Sequence, residues 1–66
     1  MTIGEKIYKL RTSAEISQEQ LAEKISVSRQ SISKWEMDQA LPQIDKVLQI
    51  CELFGNWLKF RRAIFR

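Results

Sequence analysis

The sequence predicts an all-α fold, a compact bundle of four to five helices, and three observations carry that prediction. Apolar residues recur at helical spacing from end to end, with no alternating strand segment and no internal repeat. Two segments open on capping-box sequences, Thr2-Ile3-Gly4-Glu5 and Ser17-Gln18-Glu19-Gln20. Punctuation is sparse, with one proline (Pro42) and two glycines (Gly4 and Gly55) in 66 residues. Caps therefore have to mark the boundaries.

The elements follow in order. Thr2 opens a first helix with Ile3, Ile7 and Leu10 on its apolar face. Ser17 caps a second, short helix over about residues 18–25; Ile16 and Leu21 form its hydrophobic staple, and Leu21, Ala22 and Ile25 turn inward. Ser28 starts a third helix almost at once, with Val27 and Ile32 at the staple positions. That helix ends near Met37 and buries Ile32 and Trp35, so Trp35 is read as core. Pro42 takes the first position of a fourth helix, where its missing N–H is harmless. Ile44, Val47, Leu48, Cys51 and Phe54 form its buried stripe, with Cys51 as a small hydrophobe, and Gly55 is its stop. Asn56 then caps a last segment, Trp57 to about Phe65.

Composition removes several function classes. The chain is 44% hydrophobic and 29% charged, ordinary for a globular domain. It has no histidine, which excludes His-based acid–base chemistry and His-ligated metals. A single cysteine excludes an internal disulfide framework and Cys-rich zinc sites, and fits a reducing, cytoplasmic setting. No cofactor and no metal are expected. The longest uncharged runs, Gln39–Ile44 and Leu53–Leu58, are far short of the roughly 20 apolar residues of a membrane span. The first residues do not have the form of a signal peptide. An enzyme would have to rely on carboxylates, Lys9 or Tyr8, which show no convergence.

The net charge of +3 misleads if taken whole. Lys59, Arg61, Arg62 and Arg66 supply +4, which leaves 7 basic and 8 acidic residues in 1–58. Local placement of charge is what counts. Only Ser26, Val27 and the Ser28 cap separate the second and third helices. So short a turn forces a steep crossing of about 90–120°, the helix-turn-helix geometry, with Ala22 at the close approach. Taking Ile32 as origin, Ser33, Met37, Gln30 and Lys34 fall about 100–200° round the third helix, opposite the buried pair. Arg29 lies at its N-terminal shoulder. No acid lies between Ser28 and Trp35. Arg pairs bidentately with guanine and Gln with adenine in the major groove, and a helix N-terminus favours phosphate.

Residues 1–58 resemble the phage repressor/Cro-like (XRE-type) helix-turn-helix family, whose fold is the lambda-repressor-like DNA-binding domain. The resemblance is carried by Ile7 and Leu10-Arg11, by Ser17-Gln18-Glu19-Gln20-Leu21-Ala22, by Val27-Ser28-Arg29-Gln30-Ser31-Ile32-Ser33-Lys34-Trp35-Glu36, by Pro42 and by Leu53-Phe54-Gly55. It implies a DNA-binding domain over 1–58 and a basic C-terminal tail, 59–66, belonging to a candidate fifth helix. It implies that Gln18 binds phosphate and braces the recognition helix, and that Ser28, Arg29, Gln30, Ser33 and Lys34 touch phosphates or base edges. Arg11 and Glu36 match an internal salt bridge between the first and third helices.

Two departures stand out. The turn residue, usually glycine, is Ser26; a left-handed conformation there would strain it by about 1 kcal/mol. Arg61 and Arg62 replace apolar residues of the family pattern. The expected function is sequence-specific binding of double-stranded DNA by a bacterial or phage transcriptional regulator. It is a repressor acting as a homodimer on a pseudo-palindromic operator, cytoplasmic and nucleoid-associated. For the tail, packing as a fifth helix, a dimer contact through Trp57, Phe60, Ile64 and Phe65, and contact with acidic lipid all stay open. The alternative function is an antitoxin-like interaction module that binds a protein partner through this C-terminal segment.

Overall fold

Among the described residues four helices form, in the order α1 (Ile3–Ser13), α2 (Gln18–Lys24), α3 (Arg29–Glu36) and α4 (Ile44–Ile64). The computed structural model describes the fold of residues 1–64 and the side chains of residues 1–55. Local caps start the first three helices where the sequence puts them. The Thr2 hydroxyl accepts from the Glu5 amide at 3.1 Å. At α2 the reciprocal box closes fully: Gln20 N–H donates to Ser17 Oγ at 3.0 Å, and Ser17 N–H donates to Gln20 Oε1 at 2.8 Å. Ser28 Oγ accepts from the Ser31 amide at 3.2 Å to open α3.

The same three helices also end alike; of the three ends, the sequence pointed only to the one at Ser26. Glu15, Ser26 and Asp38 take left-handed conformations, with φ of 60°, 58° and 58°. Each sits just past a helix end, so the next residue's N–H folds back onto the helix. Ile16 donates to Arg11 O at 3.2 Å, Val27 to Ala22 O at 2.9 Å and Gln39 to Lys34 O at 2.9 Å. These are Schellman closures, which satisfy terminal carbonyls and turn the chain sharply. The strain anticipated at Ser26 is therefore present, and two other non-glycine residues share it. Ser26→Gly and Glu15→Gly are each expected to raise the melting temperature by about 4–8 °C, near 1 kcal/mol for a domain of this size. Thermal unfolding followed by circular dichroism measures it; no rise in either variant would mean the turns carry no strain.

The core is Ile7, Leu21, Ala22, Ile25, Ile32, Trp35, Ile50 and Phe54. α3 lies between α1 and α2 and contacts both. Trp35 is buried, as expected, and Leu21 and Ile32 are fully enclosed.

α4 departs from expectation in three ways. First, it begins at Ile44, with the Gln43 carbonyl accepting from Lys46 and Val47 amides at 3.0 Å each. Pro42 thus precedes the cap rather than occupying the first turn. Second, its inward face is Ile50 and Phe54, helped by partly buried Val47 and Leu53. Ile44 (73% exposed), Leu48 (62% exposed) and Cys51 point to solvent. The sequence offers two apolar stripes on this helix, and periodicity alone cannot choose between them. Lys46 helps decide: its ammonium donates to Ile25 O at 2.9 Å, fixing which side of α4 meets the end of α2. Third, Gly55 and Asn56 do not break the helix, which runs on to Ile64. Gly55 does not adopt a positive φ, so it costs about 1 kcal/mol relative to alanine without ending anything. The break that would have made a fifth helix is absent among the described residues. The side chains of Trp57, Phe60 and Ile64, and all of Phe65, lie outside them.

Candidate nucleic-acid interface

The outer surface of α3 rests on one carboxylate. Glu36, the last residue of α3, accepts from Arg11 Nε at 2.7 Å (Oε2) and from Arg11 Nη2 at 3.0 Å (Oε1). The side chains are 12% and 5% exposed for Arg11 and Glu36. Gln18, first residue of α2, donates its Nε2 to Glu36 Oε1 at 3.1 Å. Arg11 Nη1 also donates to Ile16 O at 2.9 Å, and the guanidinium lies 5.4 Å from the Tyr8 ring centre. Three helices thus meet at Glu36. The hydrogen bond to Glu36 holds Arg11 above its ordinary pKa, with burial opposing it more weakly. A raised basic group stabilises the fold at every pH below its unfolded value, and the loss begins only in strong alkali. The clamp keeps its arginine charged across the neutral range.

A second brace joins the start of α1 to the end of α3. The Asp38 carboxylate accepts from the Thr2 hydroxyl at 2.9 Å (Oδ2) and from the Gly4 amide at 3.2 Å (Oδ1). A Cβ on Gly4 would collide with the Trp35 carbonyl oxygen and come within 2.6 Å of Asp38 Oδ1. Gly4 is there for close approach. Sequence reasoning placed Asp38 in a loop and gave Gly4 no role, because both act across more than thirty residues of chain. Lys46, which caps α2 from α4, was missed for the same reason.

With its back clamped, α3 exposes Ser28, Arg29, Gln30 and Lys34, while Ser33 and Gln18 are half-buried beside them. The first turn of α3 holds no acid. Ser28 and Ser31 hydroxyls lie 3.0 Å apart at the helix start. Ser31 and Ile32 amides bond to the Ser28 carbonyl, at 3.1 Å and 3.4 Å. The amides of Arg29 and Gln30 have no acceptor among the described residues, which is the usual state of a helix N-terminus and its attraction for anions. Of the six residues singled out for this role from the sequence, Ser28, Arg29 and Gln30 lie at the start of α3, Ser33 and Lys34 lie further along it, and Gln18 reaches its far end through Glu36. Trp57, Phe60, Ile64 and Phe65, the candidate dimer contacts, lie outside the residues whose side chains are described.

Comparison with known proteins agrees with this geometry. A family model described as helix-turn-helix matches residues 7–56. The chain is 43% identical over 55 residues to the HTH-type transcriptional activator BcrR of Enterococcus faecalis, a match covering 83% of this chain. It spans only 27% of that relative's length. No solved structure matches the chain. From the capped turn, the clamped third helix and the family match over most of its length, the chain belongs to the helix-turn-helix family.

Proposed function

We propose that the chain binds double-stranded DNA sequence-specifically and regulates transcription, with α3 in the major groove. The observation that carries this is an acid-free, outward Arg29–Gln30–Ser33–Lys34 surface on a helix held from behind by Glu36. Arg29 and Gln30 are the base readers, suited to guanine and adenine edges respectively. Ser28, Lys34, Gln18 and the first α3 amides face phosphate, and Ser33 lies between the two sets. Gln18 keeps one amide hydrogen for phosphate while the other is spent on Glu36, so the clamp and the contact share one side chain.

The chain acts as a homodimer on a pseudo-palindromic operator, with half-sites about one helical turn apart. Its site of action is the nucleoid in the cytoplasm. Of the two signs of regulation we keep repression, because occupying an operator needs nothing beyond binding. The 43% identical relative carries the word activator in its name, so a promoter fusion in cells decides the sign: signal falls for a repressor and rises for an activator.

The residue roles have separable signatures. Arg29→Ala and Gln30→Ala should each weaken binding by about 1–3 kcal/mol and relax preference at one base position. Competition titrations over a set of single-base operator variants measure this. Equal loss on every sequence would reassign them to phosphate. Lys34→Ala should reduce the slope of log affinity against log salt by about one unit; an unchanged slope removes Lys34 from phosphate contact.

A further inference from the structure

α4 carries an apolar surface that the fold does not use. Ile44, Leu48 and Cys51 are exposed and follow one another at spacings of four and three residues, with Gly55 four further on. This is the alternation of a two-stranded coiled-coil seam. Leu41, 76% exposed, precedes it in the loop. Gly55 is the second observation. It has no positive φ, and a Cβ placed there would meet nothing within 4 Å. The isolated chain has no need of a glycine at this point, whereas a second backbone passing close to the stripe does.

The two borders of the stripe differ in charge. On the side toward α2 stand exposed Asp45 and Glu52, with Glu52 lining a shallow hollow that also contains Lys24 and Gln49. On the other side the stripe opens into a groove of about 410 Å³ between α4 and α1, lined by Ile7, Leu10, Val47, Ile50, Met1 and Lys6. Cys51 lines the same groove, and exposed Lys9 follows in the adjoining hollow. Next to the stripe, one edge carries the α4 carboxylates Asp45 and Glu52, with Lys24 further out on α2, and the other carries Lys6 and Lys9, so the two inner edges are complementary to each other. A two-fold axis parallel to α4 lays the acidic edge of each copy against the basic edge of its partner. An axis perpendicular to α4 sets acid against acid.

We infer that the outer face of α4 and its groove with α1 form the interface with a second copy of this chain, the two α4 helices running parallel. Only the identity of the partner rests on the homodimer reading above; the face and the direction rest on the stripe, Gly55 and the charged edges. In the parallel arrangement each Cys51 lies opposite its symmetry mate across the axis.

Sedimentation equilibrium on the full chain, without DNA, tests the face. The wild type should dimerise in the micromolar range. Leu48→Glu should weaken association by about 100-fold, tenfold per copy, with an unchanged helical spectrum because Leu48 is exposed. Mild oxidation tests the direction: Cys51 should form an intermolecular disulfide in the wild type and not in Leu48→Glu. A monomeric wild type, or a dimer indifferent to Leu48→Glu and Ile44→Glu, overturns the interface. A Leu48-dependent dimer whose Cys51 does not cross-link overturns the parallel direction. Binding of Leu48→Glu to a single half-site duplex separates the two readings. If it binds while the wild type is monomeric, the interface has failed and DNA binding stands.

Discussion

Glu36→Ala is expected to destabilise the domain by about 3 kcal/mol, toward the low end for breaking a buried ion pair because Arg11 keeps some solvent access. One substitution removes both Arg11 bonds and the Gln18 bond. It also strands a guanidinium whose remaining partner is the Ile16 carbonyl. A domain of this length has roughly 3–5 kcal/mol to lose, which leaves the variant about 0–2 kcal/mol and an unfolded fraction between a few per cent and about half at room temperature. Urea titration of helicity measures the change as a fall in midpoint. The stranded charge should account for much of the cost, so Arg11→Met/Glu36→Leu should recover part of it. A single-variant loss below about 1 kcal/mol would place the pair among ordinary surface salt bridges.

Gly4→Ala should cost a comparable amount, about 2–3 kcal/mol, from a single methyl group. The added Cβ meets backbone, the Trp35 carbonyl, which cannot swing aside as the end of a long side chain would. α1 must back away from α3, and the Asp38 bonds to Thr2 and Gly4 weaken with it. Helix propensity pulls the other way by about 1 kcal/mol, since alanine is the better helix former. The sign of the result therefore decides which effect governs this position. Destabilisation in a chemical melt supports the close approach; stabilisation would mean that α1 has room to move.

These two positions also mark how far the sequence could be read. Caps and staples are local, so Thr2, Ser17 and Ser28 placed three helix starts correctly, and Ile32 with Trp35 fixed the hidden face of α3 and hence its exposed one. Arg11 and Glu36 were legible only through resemblance to a family; nothing in their spacing pairs residues twenty-five apart. Gly4, Asp38 and Lys46 act through tertiary contacts and leave no periodic trace. On α4 two apolar stripes compete, and Gly55 has the look of a stop. Only packing against Ile25 and α1 shows that Ile50 and Phe54 are inside, that Ile44, Leu48 and Cys51 are not, and that the helix continues.

The central claim is that α3 reads a DNA sequence. Selection from a randomised duplex pool at about 150 mM salt, near the physiological range, tests it most directly. The account predicts an enriched inverted repeat whose half-site preference loosens at one base in Arg29→Ala and at another in Gln30→Ala. Failure to enrich any sequence, with only salt-sensitive binding to all duplexes, would contradict it.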